Sequence, residues 1–182
     1  ARRVPGASTQ ATPRARARAL RRAQAFRLSA VSDLQALDNS VARTPAVERY
    51  WRDFCVATGL DPATPYQAWY FGDTAELAHE LVELVLHGPK RATAGLSEFN
   101  DQMPQVKPVA GGYSVLTERD GTPRAVIRTT VLERRPFSEV DASFAWDEGE
   151  GDRTLADWKD GHRRFFTREL AMLGRRFDES MA

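Results

Sequence analysis

Four acidic side chains crowd around two glycines in the segment DEGEGDRTLADW, residues 147–158. They are Asp147, Glu148, Glu150 and Asp152, and Arg153 follows them. Glycine lets a backbone come close to a ligand. A carboxylate beside it could accept hydrogen bonds from a base or ribose, transfer a proton, or hold Mg²⁺ or Mn²⁺, and Arg153 adds a fork for phosphate or carboxylate. The alternative is a solvated loop whose acids face the positive end of the next helix.

A lysine and a threonine three residues apart, Lys90 and Thr93, lie in the segment GPKRATAG, residues 88–95. On a strand that leaves the Gly-Pro turn, both side chains could face one pocket. Lysine could fix a phosphate, or act as a base if burial lowers its pKa. Threonine could donate a hydrogen bond, or act as a nucleophile once a base takes its proton. The alternative is that Lys90 and Arg91 only interact with the end of a helix and with solvent.

Aromatic residues precede a predicted helix in the segment AWYFGDT, residues 68–74. Side chains of this kind usually belong to a core, but Trp69 and Phe71 could instead stack on a nucleobase, and so could Trp146. His162 falls on the inner face of an aromatic helix, which indicates a buried, hydrogen-bonded histidine rather than a catalyst.

Local signals predict the helices that would position these residues. Thr44 as N-cap and Pro45 at the first position begin one helix, which Gly59 ends. A second helix is predicted from an N-cap at Asp73, with Glu76 completing a capping box, to the stop at residues 87–89. A last helix begins after Thr154.

The central part of the chain changes to the pattern of strands. Residues 113–118 and 125–133 are rich in β-branched and aromatic residues, and the sequence RDGTP between them predicts a hairpin. Helices first, strands in the middle and one long helix late predict an α+β fold.

Composition limits the class of protein. The 182 residues are 42% hydrophobic and 28% charged, with no apolar run of membrane-spanning length, so we expect no membrane association. A single cysteine, Cys55, excludes an intrachain disulfide and favours the cytoplasm. Eight arginines and no acid lie in residues 1–30, which leaves 18 basic and 25 acidic residues elsewhere, a formal charge of −7. The basic pI of the whole chain therefore comes from residues 1–30 and does not indicate that the rest of the protein binds nucleic acid.

The Arg/Ala-rich head cannot bury a core, and we predict that residues 1–40 are disordered. Three interpretations remain open: a basic arm that contacts phosphate, a targeting peptide, or a segment foreign to the native protein, whose translation would begin near Val31.

Taken together, these stretches resemble the ASCH domain family of the PUA-like superfamily, over about Tyr50 to Asp178. The matching segments are YFGD, GPKRATAG, AVIRTT, PFSEVD, FAWDEGEGDRTLADW and HRRFF. The resemblance implies a PUA-like, partly open β-barrel with flanking helices over residues 41–182. It also implies a cleft that binds RNA or a nucleoside. Members of the family usually end in a further strand, and this chain stops at DESMA, so we expect the domain to lack that strand or to cover its place with another segment.

Some bacterial members resemble amidohydrolases that remove the acetyl group from acetylcytidine with a lysine, a threonine and a glutamate. The resemblance maps these roles onto Lys90, Thr93 and Glu150, with Glu148 as the second choice for the glutamate. Other members resemble metal-assisted ribonucleases, in which Glu148, Glu150 and Asp152 would hold Mg²⁺ or Mn²⁺; otherwise we expect no cofactor. The third reading is a module that binds RNA without catalysis. The predicted ligand-binding residues are Trp69, Phe71, Arg91, Trp146, Glu148, Asp152 and Arg153.

Overall fold

The structure, a computed structural model, describes residues 38–182. Except for its last three residues, the predicted disordered head lies outside the described residues. In chain order the elements are α1 (Pro45–Thr58), β1 (Tyr66–Trp69), α2 (Ala75–Leu86), α3 (Ser97–Gln102), β2 (Tyr113–Thr117), β3 (Pro123–Arg128), a 3-10 turn (Phe137–Glu139), α4 (Ala142–Glu148) and α5 (Leu155–Met172).

The three strands form one open sheet in the order β1-β2-β3. β1 runs parallel to β2 with Tyr66 opposite Tyr113, and β2 runs antiparallel to β3 with Tyr113 opposite Arg128. The α+β class is thus confirmed, while closure of the sheet into a partly open barrel stays a prediction.

Helices cover both faces of this sheet. Val115 and Leu116 are neighbours on β2, so their side chains point to opposite faces. Val115 packs in a cluster with Trp51 of α1, and Leu116 packs in a second cluster with Leu81 of α2. Burial of apolar surface on both sides therefore fixes the positions of α1 and α2 against the sheet.

Several local signals are confirmed. The Thr44 hydroxyl accepts a hydrogen bond from the backbone N–H of Val47, and Gly59 ends α1 with a φ of 71°. Thr154 caps α5 in the same way by accepting from Asp157 N. These signals depend only on neighbouring residues, which is why they could be identified in the sequence.

Three predicted elements need correction. The N-cap of α2 is Thr74 rather than Asp73, because the extended Thr74 accepts from Leu77 N while the Asp73 carboxylate accepts from Arg168. Residues 88–95 form no strand, and the last predicted strand ends at Arg128 instead of continuing to 133. Strand β1 was not predicted, since Trp69 and its neighbours had been assigned to a helix entrance.

The segment after α5 contains no strand among the described residues. It makes backbone hydrogen bonds instead: Phe137 N donates to Met181 O at 2.8 Å, and Ser97 N donates to Ala182 O at 2.9 Å. Phe137 also stacks on Trp158 of α5, with ring centroids 5.4 Å apart. These contacts join the 3-10 turn, the start of α3 and the face of α5.

Cys55 is buried in the cluster beneath α1. Burial raises the pKa of its thiol, and the nearby charge of Asp61 raises it further. Within residues 38–182, no helix is both long enough and apolar enough to cross a membrane.

Candidate functional site

Two loops that are far apart in the sequence are joined by backbone hydrogen bonds. The first follows α2, where Lys90 N donates to Leu84 O at 3.2 Å and so continues from the end of that helix. The next two amides, Arg91 N and Ala92 N, both donate to Asp147 O near the end of α4, at 2.7 and 3.0 Å. These bonds take the place of a strand ladder and hold Lys90 against the end of α4.

Gly149 lets the two loops touch. It ends α4 with a φ of 71°, and a Cβ atom placed on it would lie 2.7 Å from Lys90 N and 2.8 Å from Pro89 C. No side chain fits in that space. The glycine therefore brings its neighbours Glu148 and Glu150 to the side chain of Lys90.

The Lys90 ammonium lies buried between these two carboxylates. Its Nζ donates to Glu148 Oε2 at 2.7 Å, to the Glu148 carbonyl at 3.5 Å, and through a short hydrogen bond to Glu150 Oε1. The side chains of Lys90 and Glu148 are each 1% exposed, whereas that of Glu150 is 30% exposed. An ammonium has three donors, so all three have partners, and Glu150 is the member of the trio that solvent can reach.

Burial also perturbs the chemistry of Glu148. Desolvation raises the pKa of its carboxyl to about 7, although the Lys90 charge opposes the rise and the Glu150 charge adds to it. Two carboxylates share one lysine, so the trio carries one excess negative charge when both are ionised. A proton on Glu148 removes that excess, which means that the site can hold or release a proton near neutral pH.

His162 adds a second titratable group. It extends from α5 and stacks on Trp158 with ring centroids 4.1 Å apart. Its Nδ1 lies 3.1 Å from the Trp158 carbonyl oxygen, and its Nε2 lies 3.6 Å from Glu148 Oε1. Desolvation lowers the pKa of His162, and the Glu150 charge opposes this. The sequence identified this residue only as a buried histidine; its place in the segment HRRFF on an aromatic helix face gave no further signal.

One oxygen of this cluster has no hydrogen-bond partner. Glu148 Oε1 is buried and accepts no hydrogen bond from any of residues 38–182. Buried carboxylate oxygens are costly to leave unpaired, and Nε2 of His162 lies 3.6 Å from this one.

Ligand atoms of Glu148, Glu150 and His162 all lie within 4.8 Å of one another. The ammonium of Lys90 already bonds to both carboxylates, so it supplies the cationic partner in this arrangement. A divalent cation would have to displace that ammonium to bridge them.

The remaining predicted catalytic residue, Thr93, is exposed three residues beyond Lys90. In the described part of the chain its hydroxyl makes no hydrogen bond to Lys90. Arg91, also exposed, folds back so that its guanidinium donates to Lys90 O at 2.6 Å. The segment thus places a buried lysine and an exposed threonine on one short stretch of chain.

Two further predicted binding residues contact each other. Arg153 adopts a φ of 65° and lies over the Trp146 ring, with its guanidinium carbon 3.6 Å from the ring centroid. It also donates two hydrogen bonds to Trp146 O, at 3.1 and 2.9 Å. Trp146 nevertheless remains 56% exposed. The pair forms a flat, positively charged surface feature on the loop that carries Glu148 and Glu150.

The other predicted binding residues have structural contacts. Asp152 accepts from Thr154 N at 2.8 Å, and hydrogen bonds from Thr154 lower the pKa of Asp152. Trp69 and Phe71 pack edge to face at 4.9 Å in the cluster beneath α2. Phe71 is only 5% exposed, and the Lys90 ammonium lies 5.4 Å from its ring centroid. Phe71 therefore forms part of the apolar environment of Lys90.

Comparisons with known proteins identify the family. The model of the ASCH domain matches residues 67–182. The crystal structure of an ASCH domain from Lactobacillus crispatus JV V101 is similar at 32% identity and a TM-score of 0.65, covering 74% of this chain and 87% of that chain. The crystal structure of protein EF3133 from Enterococcus faecalis V583 is similar at 36% identity and a TM-score of 0.66, covering 75% of this chain and 82% of that chain.

No curated protein is significantly similar to this chain. The family match covers more than half of the sequence, and two crystal structures agree with it in fold at more than 30% identity. The chain belongs to the ASCH domain family.

Proposed function

We propose that the protein binds a modified nucleoside or RNA base beside Lys90 and Glu150, and that it hydrolyses the acetyl amide of an acetylcytidine-type base. The ASCH domain family is associated with RNA binding. We propose hydrolysis in addition because of the side chains that the site brings together. The observation that carries this proposal is the buried Lys90 ammonium, hydrogen-bonded to Glu148 and Glu150, with the exposed Thr93 three residues away.

The trio supplies the proton transfers that amide hydrolysis requires. Lys90 acts as a base only when it is neutral, and its proton can pass to a neighbouring carboxylate because both are hydrogen-bonded to it. Neutral Lys90 then takes the hydroxyl proton of Thr93 as Thr93 Oγ bonds to the acetyl carbon. This step requires the two side chains to approach each other when substrate binds.

Collapse of the tetrahedral intermediate breaks the bond between the acetyl carbon and the exocyclic nitrogen. The Lys90 ammonium returns its proton to that nitrogen, and the amine leaves with the nucleoside. The acetyl ester on Thr93 is then attacked by a water that Lys90 deprotonates. Acetate departs, and Thr93 recovers its proton.

Glu150 suits recognition of the base. Its carboxylate is 30% exposed on one side and anchored to Lys90 on the other. A carboxylate accepts hydrogen bonds from the exocyclic amino group of cytosine. We expect Glu150 to orient the base so that its acetyl group meets Thr93.

The second candidate function is RNA binding without catalysis. The Trp146–Arg153 pair favours it, because an exposed indole with a guanidinium on one face can stack a base on the other. A metal-assisted ribonuclease is less favoured, because an ion that bridged Glu148 and Glu150 would compete with the bound Lys90 ammonium.

The test is turnover of N4-acetylcytidine by the full chain, with and without EDTA, followed as release of cytidine and acetate. Variants Thr93→Ala and Thr93→Ser probe the nucleophile. Thr58→Ala is the matched control, because this exposed threonine lies at the end of α1 and bonds to Phe54 O.

We expect turnover that is insensitive to EDTA, abolished in Thr93→Ala, partly kept in Thr93→Ser and unchanged in Thr58→Ala. No release of cytidine by a folded wild-type protein would overturn the hydrolase. RNA binding that survives Thr93→Ala and weakens with salt would then favour the binding module.

A further inference from the structure

The hydrogen-bond pattern around His162 determines where its proton lies. Nδ1 is 3.1 Å from the carbonyl oxygen of Trp158, and a carbonyl oxygen can only accept. Nδ1 must therefore carry the proton. In the neutral ring, Nε2 is then a bare lone pair.

That lone pair faces an oxygen which also lacks a proton donor. Nε2 lies 3.6 Å from Glu148 Oε1, which is buried without a hydrogen-bond partner in residues 38–182. If Glu148 were ionised and His162 neutral, the buried Oε1 would face the Nε2 lone pair with no donor between them, which is unfavourable for the enclosed oxygen. A single proton on either atom removes this conflict, and a small rotation of the imidazole would close the 3.6 Å separation to hydrogen-bond length.

Two charged groups adjoin this pair. Lys90 bonds to the other oxygen of Glu148, and Glu150 bonds to Lys90. The rings of Trp158 and Phe166 pack against the imidazole, at centroid distances of 4.1 and 5.5 Å, and the His162 side chain is 13% exposed. Neither ring titrates, so of the groups on this side of Glu148 only His162 can take up or release the proton.

We propose that Glu148 and His162 share one proton across Oε1 and Nε2, and that this pair accepts the proton which Lys90 must release to become a base. The shared proton is inferred from the positions of the His162 and Glu148 atoms, whereas the relay to Lys90 rests on the proposed function. His162 is then a positioning and proton-accepting residue that the substrate does not touch.

The transfer is balanced in atoms and charge. Lys90 gives one ammonium proton to Glu148 Oε2, along their 2.7 Å hydrogen bond. At the same time the proton on Glu148 Oε1 moves to His162 Nε2. Lys90 becomes a neutral amine, Glu148 stays a neutral acid, and His162 becomes an imidazolium. Reversal of both steps restores the starting state.

The perturbed acidities are consistent with this arrangement. Burial raises the pKa of Glu148 to about 7 and lowers that of His162. The pKa of Glu148 thereby rises above that of His162, so the proton rests on Glu148 while Lys90 is charged, and two such interacting groups titrate as a pair.

The primary experiment needs no substrate. Side-chain NMR of the full chain, labelled with ¹⁵N in histidine and ¹³C in glutamate, follows the His162 ring and the Glu148 carboxyl through a pH titration. We expect Nδ1 to carry the proton at neutral pH, and the two signals to change in the same steps. Glu148→Gln should shift the His162 titration, whereas His79→Gln, which changes an exposed histidine on α2, should not.

Independent titration of His162 would overturn the shared proton. If His162 titrates in steps of its own in the wild-type protein, or carries its proton on Nε2 alone, the pair does not exist. This reading uses the unmodified chain, so it holds even if Glu148→Gln fails to fold.

A second arm separates this inference from the proposed function. With N4-acetylcytidine, we expect His162→Gln to lower kcat about 100-fold, at the lower end of what a proton-transfer group contributes, with KM little changed and the pH profile displaced. Paired titration without any wild-type turnover would overturn the hydrolase and the relay but support the shared proton. Turnover with an unchanged pH profile in His162→Gln would overturn the relay alone.

Discussion

At the scale of single residues, Lys90 is the group on which the site depends. Its ammonium is the only described donor that bonds to both Glu148 and Glu150. Removing one partner of a buried ion pair leaves the other charge uncompensated, which is far more costly than removing an exposed pair. The stability of the protein should therefore depend on a side chain that also carries the proposed chemistry.

Lys90→Met tests this dependence. We expect it to lower the free energy of unfolding by about 3–5 kcal/mol at neutral pH. Lys107→Met is the control, because Lys107 pairs with Asp101 at the surface, where screening by water leaves an ion pair little net effect on stability. Urea denaturation of the two variants measures both values, and equal losses would contradict the burial argument.

At the scale of elements, the two helix ends at Gly59 and Gly149 form a matched pair. Both glycines have a φ of 71°. A Cβ on Gly59 would meet nothing within 4 Å, whereas a Cβ on Gly149 would clash with the backbone of Lys90. A side chain at either position would therefore incur the same conformational penalty. Only at Gly149 would the added atom also push apart the two loops of the site.

The corresponding variants should differ in size and kind of effect. Gly59→Ala should destabilise by about 1–2 kcal/mol, the penalty for a left-handed alanine, and leave acetylcytidine turnover unchanged. Gly149→Ala should destabilise more and abolish turnover, because the clash displaces Lys90 from Glu148 and Glu150. Thermal unfolding and the cytidine assay check both, and similar effects on both properties would refute the assigned contact.

The caps of α1 and α5 give a second comparison between elements. Thr44→Ala and Thr154→Ala each remove one hydrogen bond to the first helical turn, and each should cost about 1 kcal/mol. Only α5 carries His162, so only Thr154→Ala should change the pH profile of turnover. An altered profile in Thr44→Ala would show that the effect is one of general stability.

These elements also show how far the sequence could predict the structure. The caps at Thr44, Gly59 and Thr154 depend on local chemistry and were predicted correctly. Strand β1 exists because Tyr66 pairs with Tyr113, a contact that no local pattern encodes. The segment after Lys90 was expected to be a strand, but its amides bond to Asp147 instead.

The candidate site shows the same division. The family resemblance predicted that Lys90 and Glu150 belong to one site. Charge and spacing alone could not distinguish a functional role for either residue from simple exposure to solvent. The role of His162 could not be predicted, because helical periodicity indicates that a side chain is buried but not which atom it faces. Its position beside Glu148 Oε1 depends on how α5 packs on the end of α4.

At the scale of the whole molecule, the buried Glu148 and the half-buried Glu169 make stability depend on pH. Burial raises the pKa of Glu169 to about 7, with Asp73 adding to the rise and Arg168 opposing it. The pKa of Glu148 rises to a similar value, so folded Glu148 binds a proton more tightly than unfolded Glu148. The pKa of His162 falls, so folded His162 binds a proton less tightly than unfolded His162. These two shifts act on stability in opposite directions, whereas the shift of Glu169 has no such counterpart.

The resulting pH dependence has a definite sign. Between the ordinary value of 4.5 and about 7, folded Glu169 binds more protons than unfolded Glu169, so stability falls as pH rises through this window. Glu169→Gln should flatten that slope, and Glu80→Gln, at an exposed position on α2, should not. Urea midpoints measured from pH 4.5 to 7.5 test this, and an unchanged slope in Glu169→Gln would count against it.

The burial of Cys55 has a practical consequence for spectroscopy and labelling. Because the one thiol of the sequence is enclosed and its pKa is raised, a maleimide or disulfide reagent should leave it intact while the protein is folded. A cysteine introduced at Thr93 would then be the single reactive sulfur. Fluorophores or spin labels could be attached at the rim of the site in the native background, without first engineering a cysteine-free protein.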